Sequence, residues 1–119
     1  MQRLLEIIEQ RILYKLLDQC TFDTSSLRPQ VAIIKVQNVN DDGSILRFEN
    51  LKSAPPAPIP PIHFVPVEAI VSDTDGVKIH ILLHLREGRL YEMEYLKEDG
   101  TIIMKHPDPQ EMKEFILTS

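Results

Sequence analysis

Tryptophan is absent from this 119-residue sequence, cysteine occurs once and glycine only four times. A single cysteine, Cys20, cannot form a disulfide within the chain, which predicts a reducing, cytoplasmic compartment. Long apolar runs are also missing, and Arg3 and Glu6 lie within the first six residues. The sequence therefore predicts neither a secretion signal nor a membrane-spanning helix.

Basic side chains are fewer than acidic ones, with 13 Lys and Arg against 18 Asp and Glu, for a formal charge of −5. Such a chain repels phosphate backbones, so nucleic acid is not an expected partner, whereas a basic protein would be attracted. With 43% hydrophobic and 26% charged residues, the composition is that of a globular protein. One domain spanning residues 1–119 is expected at this length.

An amphipathic helix is predicted over residues 3–20, because apolar side chains recur there every three or four positions. These side chains are Leu4, Leu5, Ile8, Ile12, Leu13, Leu16 and Cys20. A short second helix is predicted to begin at Asp108, where an N-cap residue precedes Pro109 at the first helical position. Cys20 is interpreted as a small buried residue at the end of the first helix.

Strands are predicted between these two helices, because β-branched and alternating segments are separated by short glycine-containing turns. The predicted strands are 31–36 and 45–49, which form a hairpin, and 67–72, 77–85, 90–97 and 101–104, which form a meander. Residues 53–66 contain six of the nine prolines and are expected to form an extended connector. The predicted fold class is α+β, with the N-terminal helix packed on a mostly antiparallel sheet of five to six strands.

The hairpin formed by residues 77–97 has two competing registers. A two-residue turn at Glu87 and Gly88 would set Ile81 and Leu83 opposite glutamates and so bury carboxylates. A three-residue loop with Gly88 in a left-handed bulge position instead places Ile79, Ile81, Leu83 and Leu85 on one apolar face with Tyr91, Met93 and Tyr95. The bulged register is therefore predicted, and it sets His80 opposite Glu94.

The outer face of this hairpin is the candidate site, because it groups the side chains of His80, His84, Glu92 and Glu94. Carboxylates beside an imidazole either form structural charge pairs or tune the ring for proton transfer or metal binding. No catalytic residue, cofactor or metal site is predicted. Segment 38–49 matches the spacing of a calcium loop, but its flanking strands favour a plain turn, and segment 73–76 offers two acids without the later ligands of such a loop.

Three leucines, Leu82, Leu90 and Leu96, are predicted to share this outer face. So many apolar side chains are unusual on a face left to water. Either the C-terminal helix covers them, or they form an interface for a protein partner or for a second copy of the chain.

The turn-rich second half also carries a resemblance to a known group of proteins. It includes the segments 72–77, 82–85, 88–94 and 97–100, with Pro107 at the end, and covers about a third of the chain. This pattern resembles small bacterial proteins of unknown function that combine an N-terminal helix with a sheet rich in Asp-Gly turns. Some of those proteins are suspected immunity partners of secreted toxins, and none has an assigned active site, so the resemblance assigns no functional residue.

The function that these observations favour is a non-enzymatic protein-interaction module, of immunity or regulatory type. The acidic charge, the outer-face leucines and the lack of a catalytic motif support it. The alternative is a small-ligand-binding protein or enzyme. In that case a pocket between the helix and a curved sheet would use His80, Glu92 or Glu94 as its polar group.

Overall fold

A seven-stranded antiparallel sheet and one helix make up the regular structure in the computed structural model, which describes residues 1–118. The helix is α1 (Ile7–Gln19). The strands are β1 (Gln2–Leu4), β2 (Lys35–Asn38), β3 (Ile45–Phe48), β4 (Phe64–Ser72), β5 (Lys78–Arg86), β6 (Arg89–Lys97) and β7 (Glu114–Leu117). They pair in the order β1-β2-β3-β6-β5-β4-β7, so that β5 lies near the centre.

The predicted α+β class with an antiparallel sheet is confirmed, although the sheet has more strands than predicted. Helix α1 packs on one face of the sheet, which we call the inner face. There Leu13, Leu16 and Leu17 of the helix are buried together with Ile81 and other inward side chains of the central strands. Alternating burial along β5 leaves its remaining side chains on the opposite, outer face.

The N-terminal helix begins four residues later than predicted, because residues 2–4 form strand β1 against β2. The Glu9 side chain accepts a hydrogen bond from the backbone amide of Glu6, which closes a capping box at the helix start. Arg3 donates to both carboxylate oxygens of Glu9, at 2.7 and 2.9 Å, and so ties β1 to the first turn of α1. Leu4, predicted on the buried helix face, is exposed.

The first predicted strand, 31–36, is correct only in its last two residues. Residues Arg28–Gln30 form a 3-10 turn, and the carbonyl of Gln30 accepts hydrogen bonds from the amides of Ile33 and Ile34. Val31 and Ile34 are both fully buried, which is the three-residue spacing of a helical turn and not the alternation of a strand. The β-branched composition therefore predicted the wrong local structure.

The β5–β6 hairpin combines parts of both registers considered from the sequence. Glu87 and Gly88 form the two-residue turn, with φ values of 54° and 72°, and Arg86 pairs with Arg89. A bulge opposite His84 and Leu85 then shifts the pairing by one residue, which sets Ile81 opposite Tyr95 and keeps both on the inner face. The bulge thus turns Glu92 and Glu94 to the outer face and away from the apolar core, where they would have made the two-residue turn unfavourable.

This register corrects three predicted positions. His80 lies opposite Leu96, not Glu94, and His84 lies opposite Glu92. Leu90 pairs with Leu85 and is buried in the core, so it does not belong to the outer face. Tyr91, predicted on the inner face, lies at the bulge and is only half-buried, with the guanidinium groups of Arg47 and Arg86 near its ring.

Residues 101–104 form a loop and not the predicted strand. The buried carboxylate of Asp73 accepts hydrogen bonds from the backbone amides of Met104 (2.7 Å) and Lys105 (3.0 Å). These bonds and the neighbouring Lys97 ammonium, 3.0 Å away, hold the pKa of Asp73 well below its usual range. The loop amides are therefore satisfied by a side chain from the β4–β5 turn and not by a strand partner.

The predicted C-terminal helix is reduced to a 3-10 turn over Pro109–Glu111. Its start was predicted correctly, since the Asp108 side chain accepts a hydrogen bond from the amide of Gln110. Residues Glu114–Leu117 then extend as β7 and pair with β4. A segment this short forms few helical hydrogen bonds, whereas pairing with β4 satisfies one side of its backbone.

The proline-rich segment runs without helix or strand until β4 begins at Phe64, inside the predicted connector. The backbone amide of Ala57 donates to the carbonyl of Gly88 at 2.8 Å. Arg89 also donates to the carbonyl of Ala54. The segment is therefore fastened to the β5–β6 turn.

Candidate functional site

The outer face of the central strands groups the titratable side chains predicted as the candidate site. His80 and His84 point outward from β5, and β6 supplies Glu92 and Glu94 beside them. Strand β4 lies on the other side of β5 and adds Glu68, which pairs with Leu82. The alternation of the strands thus projects the polar groups away from α1 and the core.

The first group, the His80 cluster, consists of His80, Glu68 and Glu98. The Nδ1 atom of His80 lies 2.7 Å from Glu68 Oε2, and its Nε2 atom lies 2.8 Å from Glu98 Oε1. The two carboxylates therefore contact opposite edges of the ring. Hydrogen bonds to Glu98 and Glu68 favour the protonated imidazole and raise the pKa of His80 above its usual value, against the opposing effect of burial.

Replacing His80 with glutamine is expected to destabilise the protein more in acid than in base. The folded-state pKa of His80 is raised, so its contribution is fully present below the unfolded value of about 6.5 and is lost as pH rises through the folded pKa. Urea unfolding of both proteins at pH 5.5 and pH 9 measures this difference. His106→Gln is the control, because His106 hydrogen-bonds only the Pro107 carbonyl within residues 1–118. An equal His80→Gln effect at both pH values would contradict the assignment.

The second group, the His84 cluster, consists of His84, Glu92, Glu94 and His63. His84 Nε2 lies 3.0 Å from Glu94 Oε1 and 4.0 Å from Glu92 Oε2, and its Nδ1 atom lies 3.0 Å from His63 Nε2. Arg47 of β3 donates to Glu92 Oε1 at 2.7 Å. One imidazole and two carboxylates thus converge from adjacent strands, with every polar atom of the ring partnered.

The four predicted site residues therefore lie on one face but in two separate clusters. Glu68, Glu98 and His63 belong to these clusters and were not predicted. The polar position of Glu68 between the buried Val67 and Ala69 is a signal that could have placed it on the outer face. No sequence signal identified His63, which the proline-rich segment brings to β5.

Of the three predicted interface leucines, two lie on the outer face. Leu82 is half-buried between Glu68 and Glu94, and Leu96 is 51% exposed opposite His80. Leu90, by contrast, is 3% exposed and contributes to the core. Ile70 and Ile116 add apolar surface to this face, and no helix of residues 1–118 packs on it.

Of the openings that lie outside the clusters, two flank the β5–β6 turn and the proline-rich segment. One, of about 310 Å³, is lined by Arg47, Arg86, Arg89 and Tyr91 at the turn end of the hairpin. The other, of about 330 Å³, is an apolar groove beside the proline-rich segment. Its lining includes Phe22, Ile59, Ile62 and Phe64. Neither opening contains His80, Glu92 or Glu94, which face away from the helix.

Cys20 and the two turn segments offer little chemistry of their own. Burial raises the pKa of the Cys20 thiol to about 11, so little thiolate is present at neutral pH. Residues 38–49 contain the turn and the second strand of the β2–β3 hairpin, with Gly43 at φ 72° in the turn. In the 73–76 turn, the Asp75 carboxylate forms an ion pair with the Lys97 ammonium, at 2.6 Å.

A protein family described as a domain of unknown function (DUF6984) matches residues 2–107. The chain belongs to this family. The DUF6984 match includes β1 to β6 and all residues of both clusters, and it ends before β7. No curated protein and no solved structure shows a significant match to the chain. Among the described residues, no helix has the length and hydropathy that crossing a membrane requires.

Proposed function

We propose that this DUF6984 protein is a non-enzymatic protein-interaction module that binds a basic protein through its outer face. The observation that carries this proposal is the combination of exposed leucine and clustered glutamates on a sheet face that no helix of residues 1–118 covers. Leu96 and Ile116 are both about half exposed there, beside Glu68 and Glu98. Apolar side chains ringed by charge are typical of protein interfaces.

Charge supports a basic partner. Four glutamates, Glu68, Glu92, Glu94 and Glu98, lie on the central strands of this face or at their ends, and the whole chain carries a formal charge of −5. A basic protein would be steered toward this face, and the association would weaken as salt increases. An immunity protein that covers a basic toxin is one module of this kind, in line with the resemblance noted from the sequence.

The hydrogen bonds of the histidines also favour binding over nucleophilic catalysis. Within residues 1–118, the ring nitrogens of His63, His80 and His84 hydrogen-bond only to carboxylates or to each other, and none hydrogen-bonds to a hydroxyl or thiol. A nucleophilic site would need a base beside such a group.

The test is an affinity capture that compares the wild type with two variants, each of which replaces an exposed apolar residue with aspartate. Leu96→Asp should remove a stoichiometric basic partner captured by the wild type, and the purified pair should bind more weakly at high salt. Ile7→Asp is the control, because Ile7 is 64% exposed on α1, on the other side of the sheet. Both variants should remain folded by circular dichroism.

Three results would overturn the proposal: no partner, an acidic partner, or a partner that Leu96→Asp still binds. Recovery of the protein alone would favour the small-ligand alternative. The apolar groove beside Phe22 and Ile62 would then be the place to search for a ligand.

A further inference from the structure

The His84 cluster has the composition of a metal site. His84, Glu92 and Glu94 each place one ligand atom within 4.8 Å of the other two. Their side chains are 15%, 12% and 25% exposed, so they are held by neighbouring groups and yet remain reachable from solvent. We propose that His84, Glu92 and Glu94 bind one divalent transition-metal ion such as Zn²⁺.

The distances fit one ion. Zinc–nitrogen and zinc–oxygen bonds of about 2.0–2.2 Å at tetrahedral angles separate neighbouring ligand atoms by about 3.3 Å. The two observed separations from His84 Nε2 are 3.0 Å to Glu94 and 4.0 Å to Glu92. A shift of Glu92 Oε2 by less than about 1 Å closes the longer separation, and the two carboxylate ligand atoms lie within 4.8 Å of each other.

The surrounding residues orient the ligands as metal sites require. A metal-bound histidine donates its other ring N–H to a neighbouring acceptor, and His63 Nε2 lies 3.0 Å from His84 Nδ1. With an ion at His84 Nε2, the ring proton of His84 would lie on Nδ1 and be donated to His63 Nε2, and the proton of His63 would lie on its other nitrogen.

The charges also balance. Two carboxylates and a neutral imidazole would hold a divalent ion, while the Arg47 guanidinium pairs with Glu92 Oε1. This mixture of nitrogen and oxygen donors suits zinc and its neighbours better than calcium or magnesium, which prefer oxygen alone. Three protein ligands leave the fourth position to water.

The His80 cluster is a matched control within the same sheet. It also joins one imidazole to two carboxylates, but Glu68 and Glu98 contact opposite ring nitrogens. One ion therefore cannot contact a ring nitrogen of His80 and both of its carboxylates. Residue composition alone would predict two sites, whereas the geometry predicts one.

Titration of the untagged chain with ZnSO₄ by calorimetry, and with CoCl₂ by visible absorption, tests the proposal. We expect one ion per chain. The cobalt d–d absorption spectrum should be that of an ion whose ligands include nitrogen. His84→Ala should weaken zinc binding by about 100-fold or more, and His63→Gln by about 10-fold, as a change in an orienting residue does. His80→Ala should leave the affinity unchanged within about twofold.

Absence of stoichiometric binding would overturn the proposal, as would binding that survives His84→Ala or that His80→Ala weakens equally. Circular dichroism of each variant shows whether it is folded, and Glu94→Gln supplies a second ligand change that preserves side-chain shape. The proposal does not depend on a protein partner, because all measurements use the isolated chain.

Discussion

Replacing Gly88 with alanine is expected to lower the free energy of unfolding by about 2–4 kcal/mol. Gly88 has φ 72°, where a side chain is strained, and a Cβ atom there would lie 2.8 Å from Pro56 Cβ and 2.9 Å from the Ala57 carbonyl oxygen. The backbone cannot retreat freely, because the Gly88 carbonyl accepts the hydrogen bond of the Ala57 amide. Urea unfolding of the two proteins measures the difference.

Gly76→Ala is the control for this substitution. Gly76 has a similar φ of 82°, but a Cβ atom there would meet no other atom of residues 1–118 within 4 Å. Its effect should therefore be limited to backbone strain, about 1–2 kcal/mol. If both variants lose the same stability, the proline-rich segment does not pack on the β5–β6 turn as described.

The contact at Gly88 also shows which parts of the fold could be predicted from the sequence. Strand β5 was predicted nearly to its ends, because its alternation of apolar and polar side chains is a local pattern. The approach of the proline-rich segment to Gly88 links residues about thirty positions apart. No local pattern encodes such a contact, and only the positive φ of a turn glycine was expected.

Strand β1 illustrates the same limit. Leu4 and Leu5 fit a helical spacing as well as a strand, and the choice depends on pairing with β2, some thirty residues later. The Arg3–Glu9 ion pair then fixes where α1 starts. Tertiary contacts therefore override local helix propensity at this end of the chain.

The face of the four predicted site residues was predicted from the sequence, but their grouping was not. His80, His84, Glu92 and Glu94 were placed on the outer face because strand parity alone determines the face. Their partners depend on the register, which the bulge opposite His84 shifts. A register shift of two residues leaves every side chain on the same face of the sheet. His80 was therefore placed on the correct face but opposite the wrong residue.

The bulge also places Leu90 in the core and leaves Leu96 on the outer face of β6, and substitutions of these two leucines test this difference. Leu90→Ala is expected to lower the free energy of unfolding by about 2–5 kcal/mol, because Leu90 is 3% exposed and packs in the core beside Leu85. Leu96→Ala, at a position 51% exposed, should change it by no more than about 0.5 kcal/mol. Urea unfolding and capture of the same partner should be measured on both variants.

The two measurements separate the structural role of Leu90 from the interface role proposed for Leu96. Leu90→Ala should lose stability but, while folded, retain the partner, whereas Leu96→Ala should keep its stability and bind the partner more weakly. The reverse pattern would place Leu90 on the outer face, as the sequence predicted, and would mean that the bulge at Tyr91 is wrong. Because the bulge also brings Glu92 beside His84, that result would remove the geometric basis of the metal site as well.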